Sequence, residues 1–303
     1  MALTPIVSAS DGQRVTINSL VKNPLVIPKQ IIRLMENQFV VDSVLRRAGR
    51  SDSGVWQYNE SDPLFADEAS TIRQELGEYR FVTTSEGQLQ VVVSSDRGLG
   101  VMVSDEMKRH NDVDRLNRQL IMLRNTLTRD YDLAFQAALL ASSIPTMPAS
   151  AVWTTTTTDI RKDISVGKLA ITQATYGLQA NSYFAFVPNL LVCSHATAQA
   201  IVMNDSFGAV YRGNLASASV KYLDKLPNQI SDLTVLPSRT WPDDKVLICE
   251  RNTLGFIGDE EPLHTIPMQR EEKKRYWWTR CNRNAAIAID QPKAGIIITG
   301  VDA

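Results

Sequence analysis

Between Ser104 and Leu140 apolar residues return at every third or fourth position without a break. Val113, Leu116, Leu120, Leu123, Leu127, Tyr131, Ala134 and Ala138 therefore share one side of an α-helix. Asn111 or Asp112 can cap its start by accepting a hydrogen bond from an orphan backbone N–H, Asp114 opposes the positive end of the helix dipole, and Ser142, Ser143 and Pro145 end it. A helix from about Asp112 to Ala141 is roughly 45 Å long at 1.5 Å per residue, enough to span a domain. Its opposite face carries Arg115, Arg118, Arg124 and Arg129, so one side wants a core and the other wants water or an acidic partner.

A chain of 303 residues with 44% hydrophobic content can bury one large core or two modest ones. The formal charge of -1 excludes a polycationic nucleic-acid binder, so any contact with DNA is local and weak. Cys193, Cys249 and Cys281 are odd in number, widely spaced and without a CxxC pair, which predicts buried free thiols rather than a disulfide framework or a zinc site. No apolar run reaches the roughly eighteen residues of a membrane span, and the first residues lack a signal-peptide pattern. The expected location is a cytoplasm.

Residues 1–30, punctuated by Pro5, Pro24 and Pro28, have no amphipathic period and predict an extended arm. Over residues 1–50 seven basic side chains face three acidic ones, a net +4. Pro28 opens a short helix along which Ile31, Ile32, Met35 and Phe39 are spaced. From Gly54 the texture becomes strand-like: Val55 to Tyr58, Tyr79 to Val82, the alternating Leu89, Val91 and Val93, and Gly100 to Val103. Between Ser51 and Gln88 eight acidic residues face two basic ones, a net -6. An excursion this long and acidic cannot bury enough surface to stand alone in water, so it must lie on something.

After the long helix, Ser142 to Thr158 reads as a loop containing five consecutive threonines. A helix over Ile160 to Ala174, a strand over Tyr183 to Val192 interrupted by Pro188, and a helix over Ala196 to Met203 capped by Ser194 follow. Strands are expected at Leu233 to Leu236, Val246 to Cys249 and Thr253 to Ile257, then a long pair at Arg275 to Trp278 and Ala285 to Ile289. Gly295 to Val301 closes a sheet begun earlier.

No arrangement of residues argues for catalysis. His110, His195 and His264 are scattered, and Cys193 with His195 reads as core or cap rather than as metal ligands. Gly98-Leu99-Gly100 lacks a third glycine, no P-loop occurs, and Ser194-His195 has no GxSxG elbow around it. Catalytic residues, metal sites and cofactors are accordingly expected to be none.

In their order and spacing these elements resemble the major capsid proteins of tailed double-stranded DNA bacteriophages, the HK-97-type fold. The resemblance rests on the arm, the extended loop, the strand ending Gly100-Val101-Met102-Val103-Ser104-Asp105-Glu106, and the long helix. It continues through Phe186-Val187-Pro188 before Cys193-Ser194-His195, and through Arg275-Tyr276-Trp277-Trp278 to Gln291-Pro292-Lys293-Ala294. It implies an α+β fold with an arm and short helix over residues 1–45 and an extended loop over 46–104. A peripheral domain built on the long spine helix would take residues 105–158 and 250–289, and an axial domain 159–249 and 290–303. It implies self-assembly into hexamers and pentamers, forming an icosahedral or prolate shell around DNA in the virion, put together in the bacterial cytoplasm. In that family the extended loop reaches over the adjacent subunit.

Two stretches offer the acidic loop a surface. Met107 to Arg129 carries a net +4 through Lys108, Arg109, Arg115, Arg118, Arg124 and Arg129, and residues 270–283 carry another +4 that includes Lys273 and Lys274. Asp67, Glu68, Glu75 and Glu78 are the expected loop contacts, docking across the spine or the long strands of the next subunit. Family members that weld their shells use a loop lysine, yet none occurs between Lys29 and Lys108, so an isopeptide cross-link is not expected. The chain opens directly on its arm, which implies a separate scaffolding protein; portal protein, decoration proteins and DNA on the inner face are the other implied partners, with no membrane. A nanocompartment shell of the encapsulin kind shares the fold and is the alternative, and an unrecognised α/β enzyme is a remote one.

Overall fold

The computed structural model describes residues 16–35, 38–60, 87–155, 158–175, 183–204 and 229–302, with the single positions 72, 79 and 81. The expected long helix is α5, Val113–Ala141, about 44 Å long. Asp112 caps it by accepting from the Arg115 N–H at 3.2 Å, while Asn111 adopts a left-handed conformation that ends the preceding short helix α4, Asp105–His110. The buried stripe runs Leu116, Leu120, Leu123, Leu127, Tyr131, Phe135 and Leu139. In the last two turns it passes through Phe135 and Leu139 rather than Ala134 and Ala138, because the larger side chains fill the space against the neighbouring sheets.

The described part of the expected extended arm, from residue 16 on, is helical rather than extended, while the short helix expected at Pro28 is present. Residues Ile17–Lys22 (α1), Val26–Met35 (α2) and Val40–Val44 (α3) are helical, and Ile17, Ile27, Ile31 and Met35 are fully buried. Tertiary contact overrides weak local pattern here: Asn111 Oδ1 accepts from the Ile17 N–H at 2.8 Å, so helix α1 is fastened to the turn before the spine. Ile32 faces outward, and Phe39 lies just outside α3.

Two sheets flank the spine. The first contains β1 (Arg46–Arg47), β4 (Ser95–Ser104), β10 (Phe256–Thr265), β11 (Gln269–Glu271) and β12 (Tyr276–Ala288), with β12 paired antiparallel to β4, β10 and β11. The pair expected from Arg275 to Trp278 and Ala285 to Ile289 is one unbroken strand of 13 residues. The polar run between them looks like an interruption in sequence, yet Thr279, Asn282 and Arg283 are buried because strands lie on both sides.

The second sheet has the order β5 (Thr146–Pro148), β13 (Gly295–Thr299), β9 (Lys245–Cys249), β6 (Leu190–Ser194), β8 (Leu233–Ser238) and β7 (Gln229–Ile230). The final apolar strand thus enters between β5 and β9. Helix α6 (Ile160–Thr172), capped by Asp159, lies on this sheet at Gly167, where a Cβ would sit 3.1 Å from Ile248. Helix α7 (His195–Met203) is capped by Ser194 as expected. The strand expected from Tyr183 begins only at Leu190, since Ala185 takes a positive φ of 57° and Pro188 cannot donate to a ladder. One face of the second sheet joins the spine core through Leu190, Val192, Leu247 and Ile297, and the other packs with α6 and the buried Trp153.

Candidate functional site

The extended loop leaves the body as a two-stranded ribbon, β2 (Val55–Glu60) paired antiparallel with β3 (Gln88–Val93). Its root turns at Gly54, whose φ of 67° suits glycine, and the Gly54 carbonyl accepts from the Ser94 N–H at 2.8 Å. Glu260 of β10 joins the root to the sheet: its Oε2 accepts from Ser94 Oγ at 2.5 Å and from Asn284 Nδ2 at 2.6 Å. Trp56 lies over Gly258, where a Cβ would come 2.5 Å from the indole, and Tyr58 meets Phe256 edge to face at 5.5 Å. Farther along, Glu60 Oε1 accepts from Ser143 Oγ at 2.6 Å, just beyond the spine.

These contacts fix which side of the first sheet the ribbon occupies. Strand residues alternate faces, and Ile257, Ala285 and Cys281 point into the core under α2 and α5, so Phe256 and Gly258 point to the far side with Ala286 and Ala288. Small residues there let Trp56 and Tyr58 approach. The ribbon covers only part of that far face. Continuing along β12, Arg280 is exposed, Trp278 is half-buried opposite Met102 of β4, and Met102 is 58% exposed. The ribbon's own outer surface is also apolar, with Leu89, Val91 and Val93 exposed on one side of β3.

The residues expected to meet across copies fall into three groups. Asp67, Glu68, Glu75 and Glu78 lie outside the described residues, as do Arg80 and Val82 of the expected Tyr79 to Val82 strand. The positions of that loop that are described carry apolar side chains held in the open, Ile72 at 99% and Phe81 at 95% exposure. Arg115, Arg118 and Arg129 are exposed on the spine's outer face, whereas Arg124 is half-buried and bonds the neighbouring Asn125 side chain at 3.0 Å. Lys273 and Lys274 are exposed in the turn between β11 and β12, at the end of the uncovered sheet face.

The basic count over residues 270–283 overstates the surface charge. Arg283 is buried, with Nε donating to Asp259 at 2.7 Å and Nη2 to Asp42 at 2.9 Å, and its guanidinium lies over the rings of Phe39 and Tyr131. Burial works against its charge, but the bonds to Asp259 and Asp42 outweigh that and hold it protonated above the usual arginine range. Arg270 is engaged with Glu272 at 2.8 Å and Asp105 at 3.7 Å.

Sequence reading also passes over Asp132, buried on the spine beside Tyr131. It accepts from Thr240 Oγ1 at 2.7 Å and from the Val40 N–H at 3.3 Å, so it caps α3 from another element. Burial pushes its carboxyl up to about 6, against the lowering effect of those two bonds. Cys193, Cys249 and Cys281 are free and buried, each thiol pushed up to about 12 chiefly by burial. Among the described residues no group of three or more His, Cys, Asp or Glu side chains is placed to hold a metal. No described helix is long and apolar enough to cross a membrane.

Residues 88–298, well over half the chain, match the family model described as phage capsid protein. No curated protein sequence matches. Among solved structures, that of Gordonia phage Cozz is similar at 15% identity with a TM-score of 0.57, covering 89% of this chain and 85% of that one. A phage-related protein from Bordetella bronchiseptica is 17% identical with a TM-score of 0.53 over 85% of this chain and 90% of that one. The SrpI encapsulin complex of Synechococcus elongatus is 11% identical with a TM-score of 0.55 over 89% of each chain. At such identities the structures speak for the fold alone.

Proposed function

The chain belongs to the phage capsid protein family and has the HK-97-type capsid fold, and from that premise we propose that its copies form hexamers and pentamers closing an icosahedral or prolate shell around double-stranded DNA. The observation that carries this is the family match, which spans the spine, the long strands and the second sheet. The role is structural rather than enzymatic, the location is the virion, and assembly takes place in the host cytoplasm. A separate scaffolding protein, a portal protein and decoration proteins are the further partners.

In a closed layer made of one kind of subunit, every copy shares the same inside and outside. A loop that leaves on the far face of the first sheet therefore reaches the far face of the neighbour, not its spine. Of the two landing surfaces the sequence offers, this favours the long strands: Met102, Trp278 and Arg280, with Lys273 and Lys274 at the end. Asp67, Glu68, Glu75 and Glu78 supply the opposing charge. Each exposed ion pair is worth at most about 1 kcal/mol, so charge sets partner and register. Burial of apolar side chains such as Ile72, Phe81 and Met102 supplies most of the adhesion, at roughly 25 cal/mol per Å².

Electron micrographs of the purified protein test the shell, with hollow or DNA-filled particles expected. Particles packed with protein instead of DNA would turn the reading toward a nanocompartment, and a small soluble oligomer would end it. Replacing Met102 by Asp together with Lys273 and Lys274 by Glu should stop assembly and leave the circular dichroism of the subunit unchanged; normal particles from that variant would discard the docking surface.

A further inference from the structure

We propose that the joint where Asp132 meets the start of α3 and the turn between β8 and β9 is a proton-operated latch, shut while that carboxyl is neutral and slack once it ionises.

Three segments converge on this one side chain. Asp132 projects from the spine and is only 4% exposed. Its Oδ2 accepts from Thr240 Oγ1 in the turn after β8, and its Oδ1 accepts from the Val40 N–H at the start of α3, the longer bond of the two at 3.3 Å. Both segments also lean on the spine through rings: Phe39 meets Tyr131 edge to face at 5.3 Å, and Trp241 lies against Phe135 at 6.3 Å. The N-terminal helices and the second sheet are thus held to one turn of the spine, and a change at Asp132 reaches both at once.

The surroundings give the carboxyl no counter-charge. Among the described residues it forms no ion pair. Of the charged groups on the elements around it, Arg283 of β12 is taken by Asp42 of α3 and Asp259 of β10, and Arg97 of β4 donates to the Asp130 carbonyl. Lys29 and Arg33 of α2, Arg129 of the spine, and Arg239, Asp243 and Asp244 of the turn are exposed. A buried carboxylate with two neutral donors and no cation is costly to ionise, and burial accordingly outweighs both bonds and pushes it up to about 6.

The neighbouring hydroxyls can serve either form. Thr240 Oγ1 lies 3.0 Å from Ser238 Oγ, and either atom can be the donor. With the carboxyl neutral, its O–H donates to Thr240 Oγ1, which turns its own proton to Ser238; with the carboxylate charged, Thr240 donates to Asp132 instead. The first arrangement leaves no charge in the core, whereas the second leaves one that gains whenever the joint opens and water reaches it. Gln136 Nε2 donates to the Thr240 carbonyl at 2.8 Å and is indifferent to the proton, so the turn slackens without being released. The shut joint binds the proton more tightly than the open one, so its extra stability is complete below pH 3.8 and is lost as the pH rises through about 6. Weak acid therefore tightens the joint, and neutral pH loosens it.

The test is amide hydrogen exchange of the full-length protein at about pH 5 and about pH 7.5, corrected for the intrinsic effect of pH on exchange, for wild type, Asp132→Asn and Thr240→Val. In wild type the opening of residues 38–44 and 238–244 should become about tenfold more frequent at the higher pH, the factor that follows from a carboxyl at 3.8 in the open joint and about 6 in the shut one. Residues 116–127 of the spine should show no such step. Asp132→Asn should abolish the step, and Thr240→Val, which removes a donor to the charged form, should enlarge it. A wild-type joint that exchanges alike at both pH values overturns the latch, as does a step that survives in Asp132→Asn. An equal step throughout the spine makes the loosening a property of the whole molecule and overturns it too. Should Asp132→Asn not fold, Thr240→Val decides: a larger step upholds the latch, and an unchanged or smaller one rejects it.

Discussion

At the scale of single residues the molecule depends on two buried charges that tie distant segments together. Arg283 holds Asp42 of α3 and Asp259 of β10 around one guanidinium, and Tyr131 donates its hydroxyl proton to the Arg283 carbonyl at 2.5 Å. Arg283→Met would leave two half-buried carboxylates close together, with only Arg47 beside Asp42 among the described residues, and we expect it to cost about 3 kcal/mol in urea denaturation. Adding Asp42→Asn and Asp259→Asn should recover most of that loss. Asp132 makes the opposite case, a buried carboxylate without a cation. The folded chain holds its proton more tightly than the unfolded chain, so this contribution is complete below pH 3.8 and is lost as the pH rises through about 6. Asp132→Asn should therefore gain on wild type as the pH climbs through that window, by up to about 3 kcal/mol near neutrality, measured as the difference between their unfolding free energies at each pH. Neither role was legible in the sequence. The partners of Arg283 include Asp42, 241 positions away, and no local pattern reports a contact that long. Asp132 did leave a trace, a carboxylate between Tyr131 and Phe135 on a helix whose neighbouring positions are core.

Elements were legible where their signals are local. The spine could be bounded to within a residue because its period, its Asp112 cap and its Ser142 stop all lie inside the stretch they define. Asp112→Ala should cost about 1 kcal/mol in thermal unfolding, since it leaves the Arg115 N–H unsatisfied. The cap at Ser194 was readable for the same reason, and the one at Asp159 was passed over. Helix α1 and the full length of β12 were not, because a six-residue helix is stable only through what it packs on, and a strand covered on both faces over its C-terminal half, by the core and by the ribbon, loses the polar alternation that would mark it. The two strands of the ribbon were foreseen, but not their pairing with each other nor their seat, since the seat depends on the absence of a side chain at Gly258. Gly258→Ala should push Trp56 away and loosen the root. Amide exchange in β2 and β3 should quicken, while protection in the spine stays as it was.

For the whole molecule, the proposed shell gives the exposed apolar side chains of the ribbon and of the first sheet's far face a place to be buried. On the proposed docking, the ribbon and the uncovered half-sheet are the surfaces that would meet among copies. No lysine lies between Lys29 and Lys108, so no isopeptide cross-link from the extended loop is expected. Denaturing gels of mature particles should accordingly resolve a single band at the subunit mass, and a ladder of linked species would contradict this. The central place of β12 carries a further consequence. Its partners β4 and β10 are separated by the spine and most of the second sheet in sequence, and the half-sheet proposed to receive a neighbour is not made until residues 276–288 have been added. On the proposed docking, a nascent chain on the ribosome would present no finished face, and recruitment into a particle would wait until translation reaches the last strands.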